Sequence, residues 1–340
     1  MSVTPPSVSV IVPMYNAENW IERCLAPLRA MLGRGEIFEI IVVNDGSNDG
    51  SQAIVRGLAS VQLLAMDEQG GPAAARNRAA AVARGEYLWF VDSDVVVADN
   101  AAKVLRETLT RTRPAAVIGS YDDQPGANNF LSQYKNLVHH YYHHRNKNRA
   151  STFWAGCGAV QRSLFLQLGG FDAKRFRYPS IEDIELGYRI GDAGGIIVLD
   201  HHMQGKHLKE WRFVNLVHTE IFHRALPWSR LMLERKNITD DLNVAKSERL
   251  RAMLTGALLL SVLAWSLGAA SGWVSFATIA VVIAANASFI AFFTRIRGPL
   301  FALRAFLFHQ FYYFYSSATF AAAMCGHYFR RSERTAGGAS

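Results

Sequence analysis

The stretch YLWFVDSDV, residues 87–95, joins five consecutive apolar residues to an acidic loop. An apolar run of this length predicts a strand that is buried on both faces of a sheet. Asp92 and Asp94 follow that strand directly, and ligands of α/β proteins bind at the carboxyl ends of parallel strands. An isolated pair of this kind is often a solvated turn. At this position the pair predicts a site for a divalent cation and phosphate oxygens.

Further strands and helices alternate on both sides of this stretch. Apolar runs bounded by turn signals predict strands at 8–12, 39–43, 61–65 and 195–200. Helical patterns cover 17–32 and 71–84, and another helix is expected after the turn-rich residues 44–50. Regular alternation with short connections predicts an α/β fold with a mostly parallel sheet. The polar loops after the first, second and fourth strands then meet at one edge.

Six segments carry most of the polar signal in the first two-thirds of the chain. They are VSVIVPMYN (8–16), IIVVNDGSNDGS (40–51), GGPAAARNRA (70–79), YLWFVDSDV (87–95), FWAGCGAVQRSLFLQLGGFD (153–172) and PSIEDIELGYRI (179–190). In this order they resemble the family 2 glycosyltransferases, from about Val8 to Trp211. The resemblance implies a GT-A fold, a nucleotide-sugar donor, Mg or Mn as cofactor, and inversion at the anomeric carbon.

The resemblance assigns the donor site to loops at the edge of the sheet. It places Pro13, Tyr15, Asn16 and Glu18 around the base and ribose, Asp45 and Asp67 near the base, Gly71 and Arg76 at the border of the nucleotide cleft, and Asp92 with Ser93 beside the ribose or a metal-bound water. A hydrogen bond from the base to Asp45 favours a UDP-linked sugar.

The same resemblance assigns the metal. Asp94 is expected to bind it, with Asp92 beside it, and the metal stabilises the charge that develops on a diphosphate leaving group. His207 and Lys209 follow the last predicted strand, and they are candidates to bind the metal and a phosphate respectively. A solvated loop is the alternative for both.

The general base is assigned to the acceptor half of the chain. Asp183, next to Glu182 in the same catalytic motif, is expected to take the proton of the acceptor hydroxyl. Inversion requires that this base lie opposite the leaving diphosphate, so it comes from a different loop than Asp94. Capping of a helix that starts near Ser180 is compatible with that role.

The residues expected to contact the acceptor are Trp154, Gly156, Gly158 and Trp211. Trp154 offers a stacking surface, and the two glycines let the backbone approach the donor sugar or the acceptor. Packing in a tight turn is the alternative for the glycines. Trp211 is preceded by Glu210, whereas processive synthases of the family carry Arg at that place. This difference argues against a processive synthase.

The last third of the chain has a different composition. Residues 252–294 contain no Asp, Glu, Lys, Arg or His, and this length predicts a hairpin of two spans of roughly 20 residues each. Basic residues flank the hairpin and none lies in its turn, so the positive-inside rule puts both flanks in the cytosol. A third apolar helix at 305–329 either spans the membrane or lies in the interface. A buried soluble hairpin is the alternative for the first two helices.

The sequence therefore predicts a GT-A domain (1–211), an amphipathic interfacial helix with a linker (212–250), a membrane region (251–330) and a tail (331–340). Residues 1–110 contain 9 basic and 13 acidic residues, whereas 236–340 contain 10 and 4. A basic excess beside apolar segments suits anionic lipid headgroups, and no nucleic-acid motif accompanies it. Widely spaced cysteines and the lack of a signal peptide favour a cytosolic catalytic domain.

These patterns favour an enzyme of the inner membrane that transfers one sugar from a UDP-sugar to a lipid acceptor, such as a polyprenyl phosphate or a glycolipid. Transfer to a soluble or polysaccharide acceptor, with the membrane as an anchor only, is one alternative. A non-catalytic membrane scaffold is another, although the presence of Asp92, Asp94 and Asp183 argues against it. The sequence leaves a homo-oligomer open and names neither the sugar nor the acceptor.

Overall fold

Val8–Met14 forms strand β1 near the middle of a sheet, and all seven of its residues are buried. In the computed structural model, residues 5–145, 148–235, 240 and 242–336 are described, with side chains to residue 329. The chain divides into two units, Met1–Phe213 and Val214–Ser340. The first unit contains the sheet, and the second consists of helices.

The sheet has eight strands within the described residues, in the order β3-β2-β1-β4-β7-β6-β8-β5. Its other strands are β2 (Glu39–Asn44), β3 (Gln62–Ala65), β4 (Tyr87–Val91), β5 (Val95–Val97), β6 (Ala116–Tyr121), β7 (Cys157–Gln161) and β8 (Ile197–His207). The four strands from β3 to β4 are parallel to one another. The predicted α/β class is confirmed for this unit.

The second half of the sheet is mixed, although β6 and β8 are parallel, so four of the seven pairings among the described strands are parallel as predicted. Strand β7 runs antiparallel to both β4 and β6, and β5 runs antiparallel to β8. Strands β5, β6 and β7 were not predicted: β5 has only three residues, and β6 and β7 each contain a glycine. The last strand extends to His207, well beyond its predicted end at residue 200.

Helices cover the sheet of the first unit. They are α1 (Ile21–Gly33), α2 (Ser51–Arg56), α3 (Gly71–Val82), α4 (Ala101–Thr112), α5 (Phe130–Arg145), α6 (Arg162–Gln167) and α7 (Glu182–Asp192). The main core joins α1 to the strands: Leu25 and Leu28 belong with Trp89 to one cluster of fully buried side chains. Helix α1 begins four residues later than predicted, because Ala17 starts a turn before it.

The second unit begins within α8 (Phe213–His218). It continues through a π-helical stretch (Thr219–Ala225), α9 (Leu226–Arg235), a 3-10 turn (Leu242–Val244), α10 (Lys246–Ser266), α11 (Gly272–Ala285), α12 (Ala287–Arg297) and α13 (Pro299–Ala336). In the described part of the chain, α10 is long and apolar enough to cross a membrane, and α11 with α12 qualifies as a second span only as a bent pair. Membrane insertion itself stays a prediction.

The second predicted span is interrupted at Asn286, where the helix axis bends by 62°. The side chain of Asn286 is buried and donates to the carbonyl oxygen of Val282 at 2.9 Å. Arg251 of α10 donates to the carbonyl oxygen of Ala285, also at 2.9 Å. Side chains that bond to backbone groups compete with the helical ladder and bend a helix. The bend therefore depends on polar contacts that apolar periodicity does not reveal.

Two glycines of α7 provide a matched test of packing in the first unit. A Cβ atom at Gly187 would lie 2.2 Å from the backbone nitrogen of Phe153, whereas nothing lies within 4 Å of the same position at Gly191. We expect Gly187→Ala to lower the free energy of unfolding by about 1–3 kcal/mol through overpacking. Gly191→Ala should raise it by about 0.5–1 kcal/mol through helix propensity. Chemical denaturation measures both changes, and equal effects would contradict the packing of α7.

Candidate functional site

The loops after β1 and β2 are bonded to each other at the carboxyl edge of the parallel strands. The backbone N–H of Asn48 donates to Asn16 Oδ1 at 2.9 Å, and that of Gly50 donates to Glu18 Oε2 at 3.1 Å. In return, the N–H of Glu18 donates to Asp49 Oδ2 at 3.0 Å. Asn16 adopts a φ of 49°, a left-handed conformation that Asn tolerates. The predicted donor residues Asn16 and Glu18 thus help to hold this edge together.

Asp45 is buried at the end of β2 and joins it to helix α3. Its two carboxylate oxygens accept the backbone N–H groups of Gly70 and Gly71 at 2.8 and 2.9 Å. Each oxygen keeps a second lone pair, so the predicted bond to a base stays open. Gly71 has a φ of +82°, and a Cβ atom there would lie 1.9 Å from the carbonyl oxygen of Arg177. Only glycine fits this position.

The remaining donor residues differ in exposure. Tyr15 is 46% exposed, and Asp67 is exposed between β3 and α3, so both are accessible to a ligand. Pro13, in contrast, is buried in β1 in register with Val43. This burial corrects the prediction that Pro13 lines the base pocket, because a buried residue of a central strand offers no surface to a ligand.

Asp94 and His207 meet across the pairing of β5 with β8. Val95 is in register with His207, which brings Asp94 Oδ2 to 3.4 Å from His207 Nε2. The ring of Tyr121 stacks on His207 with 4.7 Å between centroids. Burial acts to raise the pKa of Asp94, but His207 and then Lys209 outweigh it and hold that pKa below its ordinary value. Asp94 therefore stays ionised at neutral pH.

Asp94 and His207 offer metal-ligating atoms that fit a divalent metal. The substrate would supply the other ligands of that metal. No group of three His, Cys, Asp or Glu side chains with metal-binding geometry occurs within the described residues. Mg²⁺ commonly takes only one or two carboxylates from the protein, and phosphate oxygens of the substrate complete its shell. One ionised carboxylate with an adjacent imidazole satisfies the protein's share of such a site.

Arg76 is the charged centre of the site and is only 4% exposed. Its Nη2 lies 2.6 Å from Asp92 Oδ1, and its Nη1 lies 3.0 Å from Glu182 Oε1. The guanidinium also lies over the ring of Phe171, 5.5 Å from the centroid. Arg76 was predicted to border the nucleotide cleft. Burial and two ion pairs give it instead the role of joining the loop after β4 to the start of α7.

Asp183 is half-buried beside this cluster. Its Oδ2 accepts the N–H of Ala155 at 3.1 Å, and its Oδ1 accepts its neighbour's N–H, that of Ile184, at 2.8 Å. Burial first, and the adjacent charge of Glu182 second, raise the pKa of Asp183 to about 7. A carboxylate with a pKa near neutrality is suited to accept a proton at physiological pH.

Residues 9–169 match the protein family described as Glycosyl transferase family 2. This region is therefore similar to the family 2 glycosyltransferases. Glycosyltransferase GlyG of Streptococcus pneumoniae is 34% identical over 118 residues, which is 34% of this chain and 38% of GlyG. Glycosyltransferase AglE of Haloferax volcanii is 37% identical over 98 residues, 28% of this chain and 32% of AglE. The chain thus spans well under half the length of these relatives.

Solved structures of glycosyltransferases share the fold. The mannosyltransferase PcManGT from Pyrobaculum calidifontis, in complex with GDP-Man and Mn²⁺, has a TM-score of 0.59 at 22% identity, over 89% of this chain and 88% of its own. TarS residues 1–349 from S. aureus, in complex with UDP-GlcNAc, has a TM-score of 0.51 at 18% identity, over 89% and 91%. The mixed sheet is consistent with the predicted GT-A fold.

Glu182 and Ser180 make contacts other than the predicted ones. Glu182 was assigned to catalysis, but it is 5% exposed, and its Oε2 accepts the N–H of Ser180 at 2.9 Å while Oε1 faces Arg76. Its two carboxylate oxygens are therefore occupied by contacts with the backbone of Ser180 and with Arg76. The residue before α7 is Ile181, so Ser180 does not occupy the capping position expected of it.

The predicted acceptor contacts are mainly packing contacts. A Cβ atom at Gly156 would lie 2.7 Å from Trp154 Nε1, and one at Gly158 would lie 2.3 Å from the Trp154 carbonyl oxygen. Trp154 itself is half-buried and keeps a surface for a ligand. Trp211 is 4% exposed under Lys209, whose Nζ lies 4.2 Å from the ring centroid. Its burial corrects the assignment of Trp211 to the acceptor.

Sequence reasoning missed Tyr121, the last residue of β6. Its ring contacts His207, Trp154 and His139, with centroid distances of 4.7, 4.8 and 4.5 Å. Tyr121 thereby supports the imidazole next to Asp94. No local signal marks this residue, because its position follows from the pairing of β6 with β8.

The raised pKa of Asp183 makes the stability of the domain depend on pH. The folded state keeps this proton up to a pKa of about 7, whereas an unfolded Asp loses it near pH 4. Stability is therefore lost as pH rises through this window, because the unfolded state binds fewer protons. Between pH 5 and 7 we expect Asp183 to account for a loss of about 2 kcal/mol in unfolding free energy. Asp183→Asn should remove this part of the pH dependence in denaturation curves. An unchanged dependence would place the carboxyl in an ordinary, solvated environment.

Proposed function

We propose that this chain is an inverting, metal-dependent glycosyltransferase that moves a single sugar from a UDP-sugar to a lipid acceptor in the membrane. The observation that carries this proposal is the double ion pair of Arg76 with Asp92 and Glu182. One side chain brings together the loop that contains Asp94 and the helix start that contains Asp183. These two carboxylates have the roles that the reaction needs, one for the metal and one for the proton.

The donor side of the proposal rests on the edge formed by β1, β2 and β4. Asp94 and His207 would hold Mg²⁺ or Mn²⁺, which when bound neutralises the charge of a diphosphate leaving group. Lys209 lies two residues beyond His207 and would contact a phosphate. PcManGT was solved with GDP-Man and TarS with UDP-GlcNAc, so the shared fold accepts different bases. Asp45 at the end of β2 favours UDP.

The acceptor side of the proposal rests on Asp183. Two backbone N–H groups orient its carboxylate, and its pKa of about 7 keeps a usable proton affinity. General-base catalysis of this kind contributes about 10²–10⁴-fold. The base, at the start of α7, and the metal residue Asp94, in the loop after β4, come from separate segments, as an inverting reaction requires.

Two variants separate the metal site from the base. Asp94→Asn should weaken Mn²⁺-dependent UDP binding by about 10-fold or more, because it removes an ionised metal ligand, and transfer should fall with it. Asp183→Asn should leave that binding nearly intact while transfer falls by about 10²-fold or more. Calorimetry with UDP and Mn²⁺ gives the binding. Radiolabelled UDP-sugars with bacterial lipid extract give the transfer.

The control for this pair is Asp99→Asn, which removes an exposed carboxylate five residues beyond Asp94 and should change neither quantity. Loss of UDP binding in Asp183→Asn would make Asp183 a donor-site residue. Full transfer by Asp94→Asn, or by the wild type in EDTA, would overturn the metal assignment. Transfer only to added soluble glycans would replace the lipid acceptor by a soluble one.

The lipid acceptor and the inner-membrane location rest on the second unit. Only 6% of the apolar window of α10 is buried, so this helix is not the core of a soluble bundle. Leu260 of α10 is 67% exposed, and Trp273 and Phe276 of α11 are 80% and 63% exposed. An apolar surface of this extent is stable only against lipid or another protein. The basic residues on both flanks of the helix pair favour lipid with a cytosolic first unit.

Cysteine labelling tests this topology. In a Cys325→Ser background, which removes the exposed native cysteine, a cysteine at the exposed Ala269 should react with an impermeant thiol reagent in intact cells. A cysteine at the exposed Ala59 of the first unit should react only after permeabilisation. Labelling of both positions, or protection of both, in intact cells would mean that α10 and α11 do not cross the membrane as a hairpin.

A further inference from the structure

Three carboxylates surround the buried guanidinium of Arg76. Asp92 and Glu182 contact it at 2.6 and 3.0 Å, and the charge of Asp183 also acts on it. The cluster is assembled from α3, from the loop after β4 and from the start of α7. When all three carboxylates are ionised, one cation among them leaves an excess of negative charge beside the buried guanidinium.

Arg76 and Glu182 form an ion pair in which both side chains are buried. A buried ion pair gains little stability over neutral groups of similar shape, because both charges lose their water. A glutamine at 182 would still accept the N–H of Ser180, and Arg76 would still have Asp92 as its partner. The ion pair as a whole therefore contributes little net stability, although loss of the Glu182 charge alone leaves Arg76 with one partner fewer. The immediate neighbour of Glu182 in the chain is the proposed base.

We propose that Arg76 and Glu182 form a positioning pair that sets the proton affinity of Asp183. The inference rests on the proposed function, since it assigns Asp183 the role of the base. Glu182 places a fixed negative charge beside Asp183, which favours the protonated carboxyl. Arg76 holds Glu182 in place through Nη1 and acts on Asp183 in the opposite direction.

Two charged side chains act on the pKa of Asp183 in opposite directions. Glu182 of α7 raises its pKa, and Arg76 of α3 lowers it. The N–H groups of Ala155, before β7, and Ile184, within α7, also lower it by favouring the carboxylate. Burial acts in the same direction as Glu182 and is the larger cause. A change of charge at 182 should therefore move the proton affinity without removing the effect of burial.

Glu182→Gln tests the proposal, because it keeps the shape and removes the charge. In wild type we expect kcat/KM to rise with pH through an apparent pKa near 7, as the base ionises. In Glu182→Gln that limb should move to lower pH by on the order of one unit. The rate above pH 8 should fall, because the base is weaker. A loss of activity with an unmoved limb would show a purely structural role and overturn the proposal.

Glu185→Gln is the matched control. Glu185 lies on the same helix, and it pairs with Arg189 at 2.7 Å rather than with Arg76. Removing its charge should leave the limb of the pH profile where it is in the wild type. Equal shifts in the two variants would show a general effect of charge on α7 and would also overturn the proposal.

A second measurement does not depend on activity. Between pH 5.5 and 7.5 the thermal midpoint of the full chain in detergent should fall as the folded Asp183 loses its proton. The fall should be smaller in Glu182→Gln and the same as wild type in Glu185→Gln. This readout decides the inference if Glu182→Gln is inactive at every pH. The thermal readout also decides the inference if the wild type transfers no sugar at all. That outcome would contradict only the proposed function.

Discussion

The buried guanidinium of Arg76 is the contact on which the candidate site depends. It joins residues 16 and 106 positions away in the chain, Asp92 and Glu182, and has its third polar atom, Nε, buried without a hydrogen-bond partner among the described residues. Removal of one partner from a buried pair typically costs about 3–5 kcal/mol, because the other charge stays in a dry environment. The geometry of both acidic motifs is therefore coupled to one side chain.

A short series of contacts places Arg76. Asp45 at the end of β2 binds the first N–H groups of α3, and negative charge at a helix N-terminus is favourable. Gly71 permits the close passage of the segment at Arg177. Arg76 lies five residues further along α3, so the orientation of this helix determines where the guanidinium can reach. A residue predicted to contact the base thus also aligns the helix that organises the catalytic edge.

The two units obey different physical constraints. The first buries apolar residues on both faces of its sheet and keeps polar groups for one edge. The second exposes large apolar side chains along α10 and α11 and keeps polar contacts inside, such as Tyr313 with Glu248 at 2.6 Å. Buried polar contacts between helices need specific partners, because an unpaired group is costly in an apolar environment. At the bend of the second predicted span, Asn286 and Arg251 make contacts of this kind with backbone carbonyl groups.

The sequence alone determined the parallel strands β1 to β4, the acidic loop after β4, the position of Asp183 in its motif and the apolar character of α10 and α11. These features follow from apolar periodicity, turn residues and short motifs, which are local properties of a chain. Only the tertiary structure decided that Arg76 bridges Asp92 and Glu182, that His207 reaches Asp94, that Trp211 and Pro13 are buried, and that Gly156 and Gly158 pack on Trp154. The reason is that each of these depends on strand pairing or on contacts between distant segments, and no local pattern specifies which buried charge finds which partner.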